Sequence, residues 1–237
     1  MSKKSTIISK ETITRLIKDI KYITNNPLNE NNIYYKHDEE DMMKGYALII
    51  GSEDTPYFGG FYFFEITYPN DYPHSPPLVL FKTNGEQIRF NPNLYVNEKV
   101  CVSLLNTWKG DQWTSCQTIS TLLLTLGTLL CKNPLLNEPG ITRSHHDFYN
   151  YTEIIEYKNI DIAILKVLEK NPSIFLDKFE DFYPIITESF SKNKESLIKF
   201  IESKCKKIKK PVVITTTLYH MYVNIDYTDL LKKLELV

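Results

Sequence analysis

Between Ser9 and Ile23 the apolar residues Ile13, Leu16, Ile17 and Ile20 are spaced three and four apart, with Lys10, Lys18 and Lys21 on other faces. That period predicts an amphipathic helix over Ser9–Ile23, ended by Asn25-Asn26-Pro27. The pattern then changes to short runs rich in β-branched and aromatic residues: Ile33–His37, Tyr46–Gly51, Phe61–Thr67 and Leu78–Lys82. Turn residues bound each run, so four strands in an antiparallel meander are expected. Between the third and fourth lies Tyr68-Pro69-Asn70-Asp71-Tyr72-Pro73-His74-Ser75-Pro76-Pro77, where four prolines remove backbone donors and fix φ. A rigid irregular loop is predicted there.

Beyond Lys82 the chain reads as loop through Asn97, passes Cys101 and the tryptophans at 108 and 113, and enters an apolar helix near Thr118 that Asn133-Pro134 closes. The most apolar stretch, Ile119–Leu130, falls short of the roughly 20 residues a membrane span needs and carries Ser, Thr and Gly, so it predicts a buried helix. From Phe148 to Leu236 the pattern is helical throughout. Lys204–Lys210 (KCKKIKK) reads as a solvated helix end, with a basic partner contact as the lesser reading.

Composition narrows the class. The 237 residues are 42% hydrophobic, 24% charged and 13% aromatic, which is ordinary for a folded chain and too apolar for disorder. A net charge of −1 gives no field to steer the chain onto nucleic acid or an anionic membrane, so neither is expected as a partner. The stretch MSKKSTIISKETITRL lacks the apolar core and cleavage site of a signal peptide. Cysteines at 101, 116, 131 and 205 form no C-x-x-C pair, and a reducing cytoplasmic or nuclear compartment is expected. Richness in Asn, Ile and Lys points to an AT-rich genome, of a protist or a large DNA virus, in which case the compartment is the host cell's.

Most familiar chemistries are missing. There is no G-x-x-x-x-G-K-[ST] or G-x-G-x-x-G loop, so no nucleotide cofactor is expected. His145-His146 reads as a solvated pair, because adjacent residues do not share a helix face, and no metal is expected there. Cys101, in "VCVSLL", follows Asn91-Pro92-Asn93 in a stretch without histidine or aspartate. Taken alone it is an inert buried thiol, since free cysteine is among the most buried residue types. A cysteine hydrolase would need a distant histidine among five, and no local signature supplies one.

The segments "YFGGFYFFEITYPNDYPHSPPLVLF", "FNPNLYVNEKVCVSLLNTW", "QWTSCQTISTLLLTLGTLL" and "NPLLNEPG" together resemble the core of ubiquitin-conjugating enzymes. Within that family the chain is most similar to the larger, C-terminally extended Z-type enzymes and to the conjugating domain of the giant inhibitor-of-apoptosis-type ligase. "RFNPN" in place of the usual His-Pro-Asn, an insertion between the cysteine and the tryptophan, "NEPG" after the long helix and the closing "NIDYTDLLKKL" carry that likeness. The resemblance implies an α+β ubiquitin-conjugating fold over residues 1–147, with a helical extension over 148–237 packed on or following it.

The family accepts ubiquitin, or a ubiquitin-like modifier, as a thioester from an activating enzyme and passes it to a substrate lysine or a ligase. The resemblance therefore implies that Cys101 is the covalent carrier and that Asn93 stabilises the oxyanion. Thiol–thioester exchange sets one thiolate against another as leaving group, so a cysteine needs no adjacent base to be charged. Attack by lysine is harder, because an amine of pKa about 10.4 must lose a proton. The family's acidic or polar gate for that step matches Asn137-Glu138, with Glu138 favoured. Asn91 stands where a histidine is usual, as a loop anchor with little catalytic consequence. His74 and Thr114-Ser115-Cys116 depart from the family's ligase-docking residues, so an atypical ligase partner is expected. A non-catalytic variant module of the same fold is the alternative reading, which the retained Cys101, Asn93 and Trp113 disfavour.

Overall fold

A computed structural model describes residues 8–237. Residues 1–7, the first part of the stretch read for a leader, lie outside the described residues. Helix α1 spans Lys10–Asn25, capped by Ser9, whose side chain accepts the Thr12 N–H at 2.9 Å. Its buried stripe is Thr12, Leu16, Asp19 and Ile23, turned away from the expected one, and Ile17 is exposed. Polar residues can occupy that stripe because their bonds are made: Thr12 donates to the Asn70 carbonyl, and Asp19 accepts from Arg15 and from the Tyr72 hydroxyl.

Four strands follow, β1 (Ile33–His37), β2 (Lys44–Ile50), β3 (Phe61–Thr67) and β4 (Leu78–Phe81), paired in that order as an antiparallel sheet. In register, Ile33, Ile49 and Tyr62 share one face, while Tyr34, Leu48 and Phe63 share the other. On the first face lies helix α2 (Ile119–Leu129), capped by Thr118, with Gly127 against Ile33. On the second face lies the C-terminal half of the chain. Phe179 stacks on Phe63 with centroids 4.3 Å apart and meets Tyr46 edge-on, and Phe175 and Phe182 complete the cover. Lys178 pairs with Glu65 and Lys36 with Asp181 at its rim. Both faces being covered, β2 and β3 read as nearly continuous apolar runs.

At Gly59-Gly60, ahead of β3, the backbone of the first half runs close against the second. Gly59 is left-handed, at φ 70°, and a Cβ on Gly60 would lie 1.9 Å from Asn159 Oδ1. Asn159, itself buried, accepts from the Tyr62 hydroxyl at 2.6 Å and donates to the Phe58 carbonyl at 2.9 Å. It marks the point where α3 (Phe148–Lys158) widens into a π-helical stretch, Asn159–Lys166.

The rest of the tail comprises α4 (Tyr183–Lys207), strands β5 (Val212–Thr215) and β6 (Tyr222–Ile225), and α5 (Tyr227–Leu236). The hairpin corrects the wholly helical pattern expected from Phe148 to Leu236. Its first strand is Val-Val-Ile-Thr, β-branched at every position, and such residues fit a pleated surface better than a helix. Lys204 is not solvated either; it is largely buried between Glu153 and Glu156. The buried apolar cluster runs without a break from Leu16 to Leu234.

Candidate active site

The segment Arg89–Cys101 leaves the sheet as a loop pinned from inside by Phe90 and Leu94, both fully buried. Asn91 is also fully buried and pairs both ends of its amide. Nδ2 donates to the Leu129 carbonyl at the end of α2 (2.7 Å) and to the Tyr57 hydroxyl (3.2 Å). Oδ1 accepts from the Asn93 N–H (2.9 Å) and from Asn137 Nδ2 (3.4 Å). A side chain placed this way fixes the loop against two other elements, and a histidine, with one nitrogen donor and one acceptor when neutral, could satisfy only two of these groups.

Asn93 and Cys101 are bonded in both directions. The Cys101 N–H donates to the Asn93 carbonyl at 2.8 Å, and Asn93 Nδ2 donates to the Cys101 carbonyl at 2.6 Å. The intervening residues turn back on themselves, with Glu98 left-handed at φ 69° and Tyr95 donating to the Lys99 carbonyl. The eight-residue spacing is thus the length of one closed loop. An amide carries two donors, and Asn93 spends one on Cys101; the other has no protein acceptor among the described residues.

The Cys101 residue is only 3% exposed, and its Sγ–H donates to the Thr107 carbonyl at 2.9 Å. Thr107 belongs to the inserted segment. That segment leaves the cysteine through a tight turn, Ser103–Leu105, and Asn106 then accepts the Trp113 N–H at 2.9 Å. Trp113 in turn donates from Nε1 to the Pro73 carbonyl at 2.7 Å. Thr107 Oγ1 accepts the Val102 N–H, which keeps the segment folded over the thiol. Among the described residues no side-chain base bonds Sγ.

Glu138 follows the turn Pro134–Asn137 and accepts the Tyr219 hydroxyl at 2.5 Å. Burial and this bond to Glu138 push the Tyr219 phenol well above its usual range. Asn137, the other candidate at the gate, is the one that reaches Asn91. The structure therefore joins Cys101, Asn93, Asn91 and Asn137 in one hydrogen-bonded chain, and ties Glu138 to the tail hairpin instead. Reading the sequence alone missed Thr107, Arg89 and Tyr219. Only Arg89 carried a local signal, as the residue that opens "RFNPN".

The sequence profile described as "Ubiquitin-conjugating enzyme" matches residues 15–158. The chain belongs to that family. Its relatives include the "Ubiquitin-conjugating enzyme E2 Z" of Xenopus tropicalis, 41% identical over 164 residues, covering 68% of this chain and 52% of that protein. The human protein of the same name is 41% identical over 162 residues, 67% of this chain and 45% of that one. The human "Dual E2 ubiquitin-conjugating enzyme/E3 ubiquitin-protein ligase BIRC6" is 43% identical over 130 residues, 51% of this chain and 3% of its own length. The chain spans about half the length of the E2 Z relatives it matches.

The loops that carry His74 and Thr114–Cys116 are ordered by contacts with α1. Arg15 donates to the Ser115 and Gln117 carbonyls, both at 2.6 Å, and leaves the Cys116 side chain exposed. His74, also exposed, lies 3.3 Å from Glu11. The His145-His146 rings stack at 4.3 Å, and their ligand atoms lie with that of Asp147 inside 4.8 Å. The Asp147 carboxylate is already engaged by the Thr217 and Leu218 N–H groups and the Thr217 hydroxyl. No helix among the described residues is long and apolar enough to cross a membrane.

Proposed function

We propose that the chain is an active ubiquitin-conjugating enzyme that carries ubiquitin, or a ubiquitin-like modifier, on Cys101. The reciprocal Asn93–Cys101 bonding carries this reading, because it holds a side-chain amide with a donor to spare beside the only cysteine in the loop. In the charging step the Cys101 thiolate attacks the thioester carbonyl brought by the activating enzyme. The tetrahedral intermediate then expels the activating enzyme's cysteine as thiolate, and the new thioester forms on Sγ. Attack requires Sγ to turn away from the Thr107 carbonyl to which its hydrogen is donated.

In the transfer step a lysine amine attacks the Cys101 thioester, passes its proton to solvent, and expels the Cys101 thiolate. On this reading the second Nδ2–H of Asn93 donates to the oxyanion, and Glu138 or Asn137 supplies the acidic or polar gate. The partners are then an activating enzyme, a protein substrate, and a ligase that reads His74 and Thr114–Cys116 rather than the family's usual residues. The reaction is ATP-dependent only through the activating enzyme. The compartment is cytoplasmic or nuclear, in the host cell if the source is viral.

Incubation with activating enzyme, ATP and ubiquitin should give a thiol-sensitive adduct that Cys101→Ala abolishes. Asn93→Ala should still charge but discharge to lysine on the order of 10²–10³-fold more slowly. No adduct with any of several activating enzymes and modifiers, or an adduct that survives Cys101→Ala, would overturn the reading.

A further inference from the structure

Arg89 holds the loop that carries Asn93. Its Nε donates to the Asn91 carbonyl at 3.1 Å and its Nη2 to the Pro92 carbonyl at 2.6 Å, the two residues that immediately precede Asn93. The guanidinium lies over the Tyr95 ring at 3.3 Å and faces the Tyr219 ring at 5.0 Å. A cation set against two aromatic rings has little freedom to swing away from the carbonyls it bonds.

Tyr219 comes from the far end of the chain, in the connection between β5 and β6. It meets Arg89 with its ring and Glu138 with its hydroxyl, and Tyr151 closes the cluster by donating to the Arg89 carbonyl at 2.8 Å and packing edge-on against Tyr219. Two features show that this placement is held against resistance. Tyr219 and His220 are both left-handed, at φ 63° and 50°, a conformation unfavourable for residues with a Cβ and persistent only where the surroundings enforce it. Just before them, Thr217 and Leu218 are tied down by the buried Asp147 carboxylate.

Resting on the reading of Cys101 as the thioester carrier, we propose that Tyr219 is a positioning residue for transfer to lysine, through which the C-terminal hairpin sets Arg89, and hence the Asn93 loop, together with Glu138. Tyr219 itself lies outside the reacting atoms. Its effect falls on the lysine step because that step alone needs the gate as well as the oxyanion donor. The tail then acts on catalysis as well as on folding.

The test uses the full-length chain charged with ubiquitin, with further charging stopped, and follows the first-order loss of adduct on adding free lysine. That rate constant reports only molecules already loaded, so a variant that is merely less well folded loads less but discharges at the wild-type rate. Tyr219→Leu, which removes ring and hydroxyl, should discharge about tenfold more slowly, within the roughly hundredfold that a 1 Å misplacement can cost. Tyr219→Phe, which keeps the ring over Arg89, should recover part of that loss. A Tyr219→Leu adduct that discharges at the wild-type rate overturns the proposal and leaves the carrier role of Cys101 intact. Failure of the wild-type chain to form an adduct overturns the carrier reading and the proposal with it. If Tyr219→Leu cannot be charged, Tyr219→Phe decides in the same way: slower discharge supports the proposal and wild-type discharge overturns it.

Discussion

The two faces of the central sheet are covered by different materials. Toward α2 the cover is mixed: aliphatic from that one helix, with Leu122, Leu123 and Leu126 fully buried, and aromatic from Tyr57 and Phe90, whose rings meet Tyr62 edge-on. Toward the tail it is aromatic and comes from a long excursion of chain, with Phe179 stacked on Phe63 and Phe175 and Phe182 beside it. The first cover belongs to the segment the family profile matches, and the second lies beyond residue 158. The difference teaches that Tyr46, Leu48 and Phe63 are interior residues only because the tail is there. A family core that ended near residue 147 would expose that face, a larger contiguous apolar patch than soluble monomers usually carry.

The severest way to break this comparison is to remove the tail. A chain ending at residue 147 should fail to give a cooperative thermal transition and should collect in aggregates. A soluble 1–147 piece with a sharp transition would show that the second face can stand uncovered. A gentler probe sets one residue from each cover against the other. Phe179→Ala should cost about 3–5 kcal/mol and Leu126→Ala about 2–5 kcal/mol in urea unfolding. A Phe179→Ala cost below about 1 kcal/mol would mean that the tail only rests on the sheet.

The smallest expected effect is in pH dependence, and it involves one carboxylate that anchors the tail hairpin and one in the β1–β2 turn. Burial of the Asp147 carboxylate works to raise its pKa, but the donors on Leu218 and Thr217 outweigh it and hold the group below its usual range. Asp38 is brought down to about 2 by the Tyr46 hydroxyl and by the N–H groups of Asp41 and Glu40. For both groups the folded value is depressed. Their contribution is therefore complete above the unfolded value of about 3.9 and is lost as pH falls through the folded value. The urea midpoint should decline between pH 5 and 3, and less steeply in Asp147→Asn; an unchanged slope would remove Asp147 as an anchor of the hairpin.

Where local periodicity decides, the sequence was readable. Strands β1 and β3 lie on the residues their β-branched and aromatic runs predict, and Thr118 opens α2 as expected. The α1 stripe departs from the apolar period because Thr12 and Asp19 are buried by virtue of partners at Asn70 and Tyr72, which no periodicity encodes. The β5–β6 hairpin is hidden in the sequence because its short β-branched run sits inside a longer helical pattern. In the site, the motif residues Asn93 and Cys101 stood out by resemblance, and the structure brings them together. Thr107 contributes a backbone carbonyl, which has no sequence signature, and Tyr219 reaches Arg89 only through the tertiary fold.

The burial of Cys101 also ranks the four thiols by access. Cys116 is exposed, Cys131 and Cys205 are partly covered, and Cys101 has its hydrogen engaged beneath the inserted segment. An alkylating probe or a diffusing oxidant, arriving in substoichiometric amount, meets Cys116 first. Cys101 is thereby shielded from chance chemistry, and a fluorophore attached to Cys116 would report on its own loop while leaving Cys101 untouched.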